Sequence, residues 1–148
     1  MKLILATLAL AATAGLATEA SAGATKSTGG STKSSPSGPT LSYNAQEAFN
    51  KSPDKGNLNY QDGKSGFDAD IQCVVVSGST VYFAAEIIRS TIYSVGTWIY
   101  VEATDSGEPS TYDTITWLAT DYATAYNNCL NQTDLNDGTI VQGNITTK

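Results

Sequence analysis

The sequence predicts an all-β fold: an antiparallel sandwich or small barrel of six to eight strands, with one short helix and one disulfide. Three observations predict it. Segments 66–76, 81–89 and 97–105 alternate apolar and polar residues, a later segment repeats apolar residues at helical spacing, and the chain contains 2 cysteines. Period-2 alternation with β-branched and aromatic residues is typical of half-buried strands. Periodicity does not distinguish a sandwich from a barrel.

The three alternating segments share one apolar parity, so we expect neighbouring strands around one core. Their apolar odd positions are Phe67, Ala69, Ile71, Cys73, Val75, Val81, Phe83, Ala85, Ile87, Ile99, Val101 and Ala103. Directly opposed residues of antiparallel strands lie on the same face. The first two segments should therefore form a hairpin that sets Val75 opposite Val81, with an odd-length loop centred on Gly78.

Shorter elements surround these three strands. Residues 58–61 predict a strand that turns into the first long one, and residues 114–119 alternate and predict another. Asp121 is the predicted N-cap of a helix over residues 122–130, because apolar residues recur there at helical spacing. Residues 139–146 predict the last strand.

Composition divides the chain into three regions. Residues 1–22 predict a secretory signal peptide, because a basic start precedes an apolar run and a small-residue cleavage motif that ends at Ala22. Residues 23–40, rich in Gly, Ser, Thr, Pro and Lys, are typical of a flexible linker. Residues 41–148 then form the β-rich globular domain. We expect a secreted protein, periplasmic if the source has an outer membrane, and no membrane span.

The two cysteines, Cys73 and Cys129, predict one disulfide, because paired cysteines are typical of exported proteins. The bond would attach the helix to the central strand and contribute about 4 kcal/mol in the loop-entropy model. A free buried pair is the alternative. Neither spacing nor number suggests a redox motif.

Charge and composition exclude several functions. The chain has 0 His, which removes the most frequent general base and transition-metal ligand. Residues 41–148 contain 13 acidic and 5 basic side chains. We expect no nucleic-acid partner, because such a surface repels phosphate.

Carboxylates supply the remaining candidate chemistry. The predicted register sets Asp70 opposite Glu86, which suggests a bound cation or a catalytic acid pair; a solvated acidic face is the plainer interpretation. Asp105, Glu108 and Asp113 lie in one loop and are candidate Ca²⁺ ligands, although turn-forming chemistry also explains them.

An aromatic face is the candidate ligand-binding surface. Trp98, Tyr100 and Glu102 share the even-numbered face of the third long strand. If that face is exposed, its rings beside a carboxylate suit a sugar. The alternative is that a helix or a second sheet covers it.

Two motifs of the folded region are a hairpin and a loop. They read Cys73-x-x-Val76-x-Gly78 and Asp105-x-Gly107-Glu108. With the surrounding residues 56–146 they resemble a group of small exported β-rich bacterial domains that have no assigned activity. Ser106 stands where that group has Asn, and Gln72 stands where Asp is common. The resemblance implies a β-rich fold and export, and it implies no reaction.

These observations favour binding over catalysis. The leading hypothesis is a secreted, non-catalytic binding or envelope-associated module for an unknown extracellular ligand or surface component. A calcium-stabilised adhesion or matrix domain is one alternative. A carboxylate-dependent hydrolase that uses Asp70 and Glu86 is the other.

Overall fold

The computed structural model describes residues 26–33, 38–48, 53–107, 113–136, 139–140 and 145–148. The predicted signal peptide, residues 1–22, lies outside the described residues. Within them the chain forms nine strands and one helix. The elements are β1 (Lys26–Lys33), β2 (Thr40–Gln46), β3 (Lys55–Asp62), β4 (Ser65–Ser77), β5 (Thr80–Ser90), β6 (Trp98–Thr104), β7 (Thr114–Thr120), α1 (Tyr122–Asn131), β8 (Thr139–Ile140) and β9 (Ile145–Thr147).

The described strands form one antiparallel sheet in the order β8-β7-β6-β5-β4-β3-β2-β1-β9. The sheet is curled, as contacts between aromatic rings on strands that are not neighbours show. Between ring centroids, Tyr43 of β2 lies 5.0 Å from Phe83 of β5, and Tyr60 of β3 lies 5.1 Å from Trp117 of β7. The predicted all-β class, with a helix and a disulfide, is confirmed as a curled half-barrel.

Strand β1 lies within residues 23–40, where composition predicts a flexible linker. It pairs with β2 and β9. The reason is the buried ring of Tyr43, since a Cβ on Gly29 would lie 2.3 Å from Tyr43 Cε1 and Ser27 Oγ lies 3.1 Å from the Tyr43 hydroxyl. Small residues here make room for a ring. Residues 26–33 are therefore part of the sheet, although their composition is that of a linker.

The β4–β5 hairpin has a two-residue turn, so the predicted odd-length loop is wrong. Val76, rather than Val75, lies opposite Val81. Gly78 opens the turn with φ +60°, a conformation that glycine adopts without steric cost. Near this turn, even-numbered residues of β4 share a face with odd-numbered residues of β5. The sequence predicts odd-numbered residues on the inner face of both strands, so the numbering of inward-facing residues must change within β4.

A β-bulge at Gln72 makes this change. The register passes from Ile71 opposite Ala85 to Cys73 opposite Ala84, which leaves Gln72 as the extra residue of β4. Residues before the bulge keep odd numbers on the inner face, and residues after it keep even numbers there. Cys73 consequently points to the outer face, which is where its partner lies.

The sheet buries apolar side chains on both faces. The inner core takes residues from β2 to β7 and from β9, and the fully buried large side chains include Leu58, Phe83, Ile87 and Ile99. Each contributes about 1.5–3 kcal/mol through removal from water. A second core on the outer face packs Cys73, Ala84, Trp98 and Tyr100 against Ala125 and Cys129 of the helix.

Helix α1 forms where the sequence predicts it. Asp121 caps its first turn by accepting a hydrogen bond from Thr124 N at 3.0 Å. The helix ends at Gln132, which takes the left-handed conformation with φ 53°. The predicted Cys73–Cys129 disulfide is confirmed and joins the helix to β4.

The predicted last strand, residues 139–146, divides into β8 and β9, and residues 141–144 lie outside the described residues. β8 pairs with the start of β7, while β9 pairs with β1 at the other end of the sheet order. In the part of the chain that the structure describes, no helix has the length and apolar character needed to cross a membrane.

Candidate functional site

Asp105 and Asp113, two of the predicted calcium ligands, bind the backbone of β9. Asp113 Oδ2 accepts a hydrogen bond from Ile145 N at 2.8 Å, and Asp105 Oδ2 accepts one from Thr147 N at 3.2 Å. Their Oδ1 atoms accept hydrogen bonds from the backbone of the loop that joins β6 and β7. Asp113 is fully buried. We call this pair the carboxylate clasp.

Antiparallel geometry explains the clasp. Lys26 and Lys148 exchange two backbone hydrogen bonds, of 2.9 and 2.8 Å, between β1 and the residue after β9. Alternate residues of an antiparallel strand point their amides toward or away from the partner. The amides of Ile145 and Thr147 therefore point away from β1. The carboxylates satisfy them in place of a neighbouring strand.

The clasp limits what the loop offers a cation. Glu108, the third predicted ligand, lies outside the described residues. Among the residues that are described, no cluster of three or more His, Cys, Asp or Glu is arranged to hold a metal ion. A cation at Asp105 and Asp113 would compete with backbone amides for the same oxygens. Calcium binding stays a prediction.

The aromatic face of β6 is covered by the helix, which is the second of the two alternatives that the sequence left open. Tyr100 is fully buried, and Trp98 is 8% exposed with its ring centroid 4.8 Å from that of Tyr122 in the helix. Burial raises the pKa of the Tyr100 hydroxyl. Glu102 accepts a hydrogen bond from Leu135 N at 2.9 Å. The helix, held by the disulfide, covers the rings.

The acidic pair lies on the outer face of the sheet. Asp70 is directly opposite Glu86, as the register predicts. Asp70 is exposed, and Glu86 accepts a hydrogen bond from Gln72 Nε2 at 3.1 Å. A glycosidase pair flanks a substrate in a concave site. Neither carboxylate lines the cleft described next.

A cleft opens where β4 begins, and its lining includes Asn59, Gln61, Lys64, Gly66, Asp68 and Arg89. Gly66 allows β4 to approach β3 closely here, because a Cβ on this residue would lie 2.3 Å from Tyr60 O. The backbone is held in place, since Thr91 N donates to Gly66 O and Gly66 N donates to Thr91 Oγ1, both at 2.9 Å. We call it the Gly66 cleft.

Asp68 organises the polar wall of the Gly66 cleft. Its Oδ1 accepts a hydrogen bond from Asn59 Nδ2 at 2.6 Å, and its Oδ2 accepts one from Arg89 Nε at 2.7 Å. These hydrogen bonds, the one from Asn59 first, hold the pKa of the Asp68 carboxyl below its ordinary value. The Arg89 side chain is 82% exposed although its guanidinium is oriented. Its remaining N–H groups face solvent.

Aromatic rings stand behind this polar wall. Tyr60 and Phe67, on the inner face of β3 and β4, stack with centroids 5.3 Å apart, and Tyr93 meets Phe67 edge-on at 5.8 Å. Both stacked residues also line the Gly66 cleft. Because neighbouring residues of a strand point to opposite faces, these rings pack on the inner face behind the strands that carry Asn59 and Asp68, and the cleft itself presents amides, a carboxylate and two cations.

Sequence reasoning missed the Gly66 cleft. It assigned no role to Arg89 or Lys64. The available signal was Gly66 itself, because a glycine at the start of a long strand often marks a close approach of another group. Nothing local to the sequence placed Asn59, Asp68 and Arg89 side by side.

Comparisons with protein-family models, with the curated proteins and with the solved structures found no match to this chain.

Proposed function

We propose that this chain is an exported, non-catalytic binding module whose Gly66 cleft holds an anionic ligand rich in hydroxyl groups, such as a uronate unit of a surface polysaccharide. The observation that supports the proposal is the charge of the cleft. Two of the 5 basic side chains of residues 41–148 line it, Lys64 and Arg89, but only one of the 13 acidic ones, Asp68. Elsewhere this acidic domain repels anions.

The side chains of the cleft suit such a ligand. Arg89 is held by Asp68 and presents its free N–H groups in a plane, which favours two parallel hydrogen bonds to a carboxylate. Lys64 adds a point charge on a flexible stem. The amide of Gln61 offers both a donor and an acceptor, which matches a hydroxyl group.

Binding is a better account than catalysis. The chain has 0 His, and both cysteines form the disulfide, so neither a histidine base nor a thiolate nucleophile is present. Asp70 and Glu86 do not line the cleft, although Asp70 lies two residues from Asp68 on the same face of β4. The disulfide supports export to an oxidising compartment.

A calcium-stabilised domain is the second candidate. The observation in its favour is that Asp105 and Asp113 converge on one strand, β9, from the two ends of one loop. Carboxylate oxygens are the ligands that Ca²⁺ prefers. The melting measurement described in the Discussion separates this candidate from a clasp that acts through hydrogen bonds alone.

Calorimetric titration with an oligogalacturonate, and with a neutral maltooligosaccharide of equal length, tests the leading proposal. We expect the uronate oligomer to bind and the neutral one to bind at least tenfold more weakly. Affinity should fall as salt rises, because the charges are exposed. The variants Arg89→Gln and Lys64→Gln should each weaken uronate binding about tenfold, since a hydrogen bond to a charged group contributes about 1.5–3 kcal/mol.

Lys55→Gln is the matched control. Lys55 is an exposed base of β3 that does not line the cleft, so its loss changes net charge equally and should leave affinity within about twofold. Equal weakening in Lys55→Gln and Arg89→Gln would reject the cleft as the site. Absence of uronate binding by the unaltered protein would reject the ligand class.

A further inference from the structure

The connection between β5 and β6, residues 91–97, is tied to the Gly66 cleft. Three consecutive residues of the cleft, 89–91, lead into it. The Ser90 hydroxyl accepts hydrogen bonds from Ile92 N at 3.0 Å and from Tyr93 N at 2.8 Å. A residue that lines the cleft therefore also orders the turn that follows it.

This ordered turn and the residues beside it hold apolar side chains in solvent. Of the seven large apolar side chains that are exposed in the described part of the chain, four lie within residues 88–95. They are Ile88, Ile92, Tyr93 and Val95, and the most exposed is Val95, at 67%. We call these four residues the apolar rim. Several apolar side chains exposed close together usually mark a contact surface.

The apolar rim borders the Gly66 cleft directly. Ile88 and Ile92 flank the cleft residues 89–91 in sequence. Tyr93 contacts Phe67, another residue that lines the cleft, with ring centroids 5.8 Å apart. Consecutive Cα atoms are about 3.8 Å apart, so a ligand that extends a few ångströms beyond the cleft reaches the rim.

The side chains of the apolar rim favour an aliphatic partner. Ile88, Ile92 and Val95 are branched aliphatic residues, which offer no flat face on which a sugar ring can stack. The one ring of the rim, that of Tyr93, is already in edge-to-face contact with Phe67. An alkyl chain suits such a surface, because the contact removes apolar area of both molecules from water.

We propose that the ligand of the Gly66 cleft is an anionic glycolipid, whose uronate sugar binds in the cleft and whose aliphatic chain lies on the apolar rim. Charge complementarity supports this occupant, because Lys64 and Arg89 lie beside the rim and attract an anionic head group. A neutral lipid would not use these two cations, and an unsubstituted uronate would leave the rim in water. The inference rests on the proposed function, since it adds an aliphatic chain to the ligand proposed there.

Amide chemical-shift titrations with methyl glucuronide and with octyl glucuronide, kept below its micelle concentration, test the proposal. Octyl glucuronide should bind about tenfold more tightly or better, because its chain buries several more methylene groups. It should exceed octyl glucoside, which has the same chain and no charge, by about tenfold as well. The double variant Ile92→Ser, Val95→Ser should bring the affinities for the two glucuronides to within about threefold of each other.

Leu130→Ser is the matched control, since Leu130 is 55% exposed on the helix and does not line the cleft. It should retain the full gain from the octyl chain. Circular dichroism checks that the variants fold, which is expected because the substituted side chains are exposed. Equal affinities for the two glucuronides in the unaltered protein would overturn the proposal. So would a gain that survives in the double variant, or equal binding of octyl glucoside.

Arg89→Gln distinguishes the failure of this inference from the failure of the proposed function. If the variant weakens binding of both glucuronides and the octyl chain adds nothing, the cleft binds the anion and the glycolipid is rejected. If the variant leaves both affinities unchanged, the cleft is not the anion site and both proposals are rejected.

Discussion

Asp113 accepts a buried hydrogen bond from Ile145 N at 2.8 Å, across 32 residues of sequence. Asp113 directly precedes β7, and Ile145 begins β9, which is the last strand at the opposite end of the sheet order. One side chain therefore joins the two sides of the curled sheet at this end of the barrel. The same carboxylate holds Ser106 N at 2.9 Å and so orders the start of the loop.

Removal of the Asp113 carboxylate should destabilise the protein. Asp113→Ala removes the acceptor of the buried Ile145 amide, at a cost of about 1–3 kcal/mol. We expect a loss of about 1–3 kcal/mol in the free energy of unfolding, measured by urea denaturation. Asp70→Ala, on the exposed outer face, is the control and should be neutral or stabilising because it removes a directly opposed like charge. Equal losses in both variants would contradict this role.

Enlargement of Gly29 tests whether β1 belongs to the domain. Gly29→Ala places a Cβ 2.3 Å from Tyr43 Cε1. The Tyr43 ring also packs against Phe83, with ring centroids 5.0 Å apart, which limits how far it can move. Overpacking of this kind costs about 1–3 kcal/mol. Thr28→Ala, at an exposed neighbouring position, should cost less than about 0.5 kcal/mol. If thermal unfolding of Gly29→Ala matches that of the unaltered protein, residues 26–33 do not pack as a strand.

Reduction of the Cys73–Cys129 disulfide should loosen the helix and destabilise the whole domain. The bond closes a loop with a sequence separation of 56 residues. The loop-entropy model then gives about 4 kcal/mol of stabilisation. Guanidinium unfolding of the reduced and oxidised protein measures the difference. Near-ultraviolet dichroism of Trp98 reports the helix, because the indole packs against Tyr122. Coincident unfolding curves would show that hydrophobic contacts alone hold α1.

Calcium should leave the melting temperature unchanged. The oxygens of Asp105 and Asp113 already accept backbone hydrogen bonds, so an ion would share them with amide groups that partly neutralise their charge. Calorimetric melts with excess Ca²⁺ and with chelator test this expectation. A ligand at 100 times its dissociation constant adds about 2.7 kcal/mol, which is several degrees. A shift of that size, abolished by Asp105→Ala, would favour the calcium-stabilised domain instead.

Acid should remove the contribution of Asp68 to stability. In the folded state, hydrogen bonds from Asn59 and Arg89 lower the pKa of the Asp68 carboxyl below its ordinary value of 3.8. A lowered folded-state pKa stabilises the protein above the unfolded-state pKa, and this stabilisation disappears as the pH falls through the folded-state value. Asp68→Asn should therefore flatten the dependence of unfolding free energy on pH below about pH 4. An unchanged acid limb in that variant would assign the dependence to other carboxylates.

Much of the fold follows from local patterns. Alternation predicts β3 to β7, the N-cap Asp121 predicts the helix, and export predicts the disulfide between Cys73 and Cys129. These elements depend on residues close in sequence or on cysteine number alone. The apolar parity of β5 and β6 also survives in the structure, because Val81 and Val101 are fully buried on the inner face.

The wrong predictions arise where a single residue changes whether odd- or even-numbered residues face the core. No pattern marks Gln72 as a bulge, yet it sends Cys73 and the residues after it to opposite faces from those predicted. β1 was missed because its small residues serve the Tyr43 ring, which belongs to a different strand. Local composition carries no record of such a partner.

The candidate site was harder to predict than the fold. The sequence left open whether the rings of β6 are exposed or covered, and in the structure the helix covers Trp98 and Tyr100. The Gly66 cleft brings together side chains from three strands, among them Asn59, Asp68 and Arg89. Their proximity depends on register between β3, β4 and β5, which the sequence defines only once the strands are paired.

The most direct measurement of the central claim is an amide chemical-shift titration of the protein with an oligogalacturonate. The largest saturable shifts should fall on the amides of Asn59, Gly66, Asp68 and Thr91. Arg89→Gln should lower the affinity calculated from these shifts about tenfold. The amides of the helix and of the carboxylate clasp should stay within the noise. Saturable shifts centred on the clasp or on the helix, with none at Gly66, would contradict the proposed binding site.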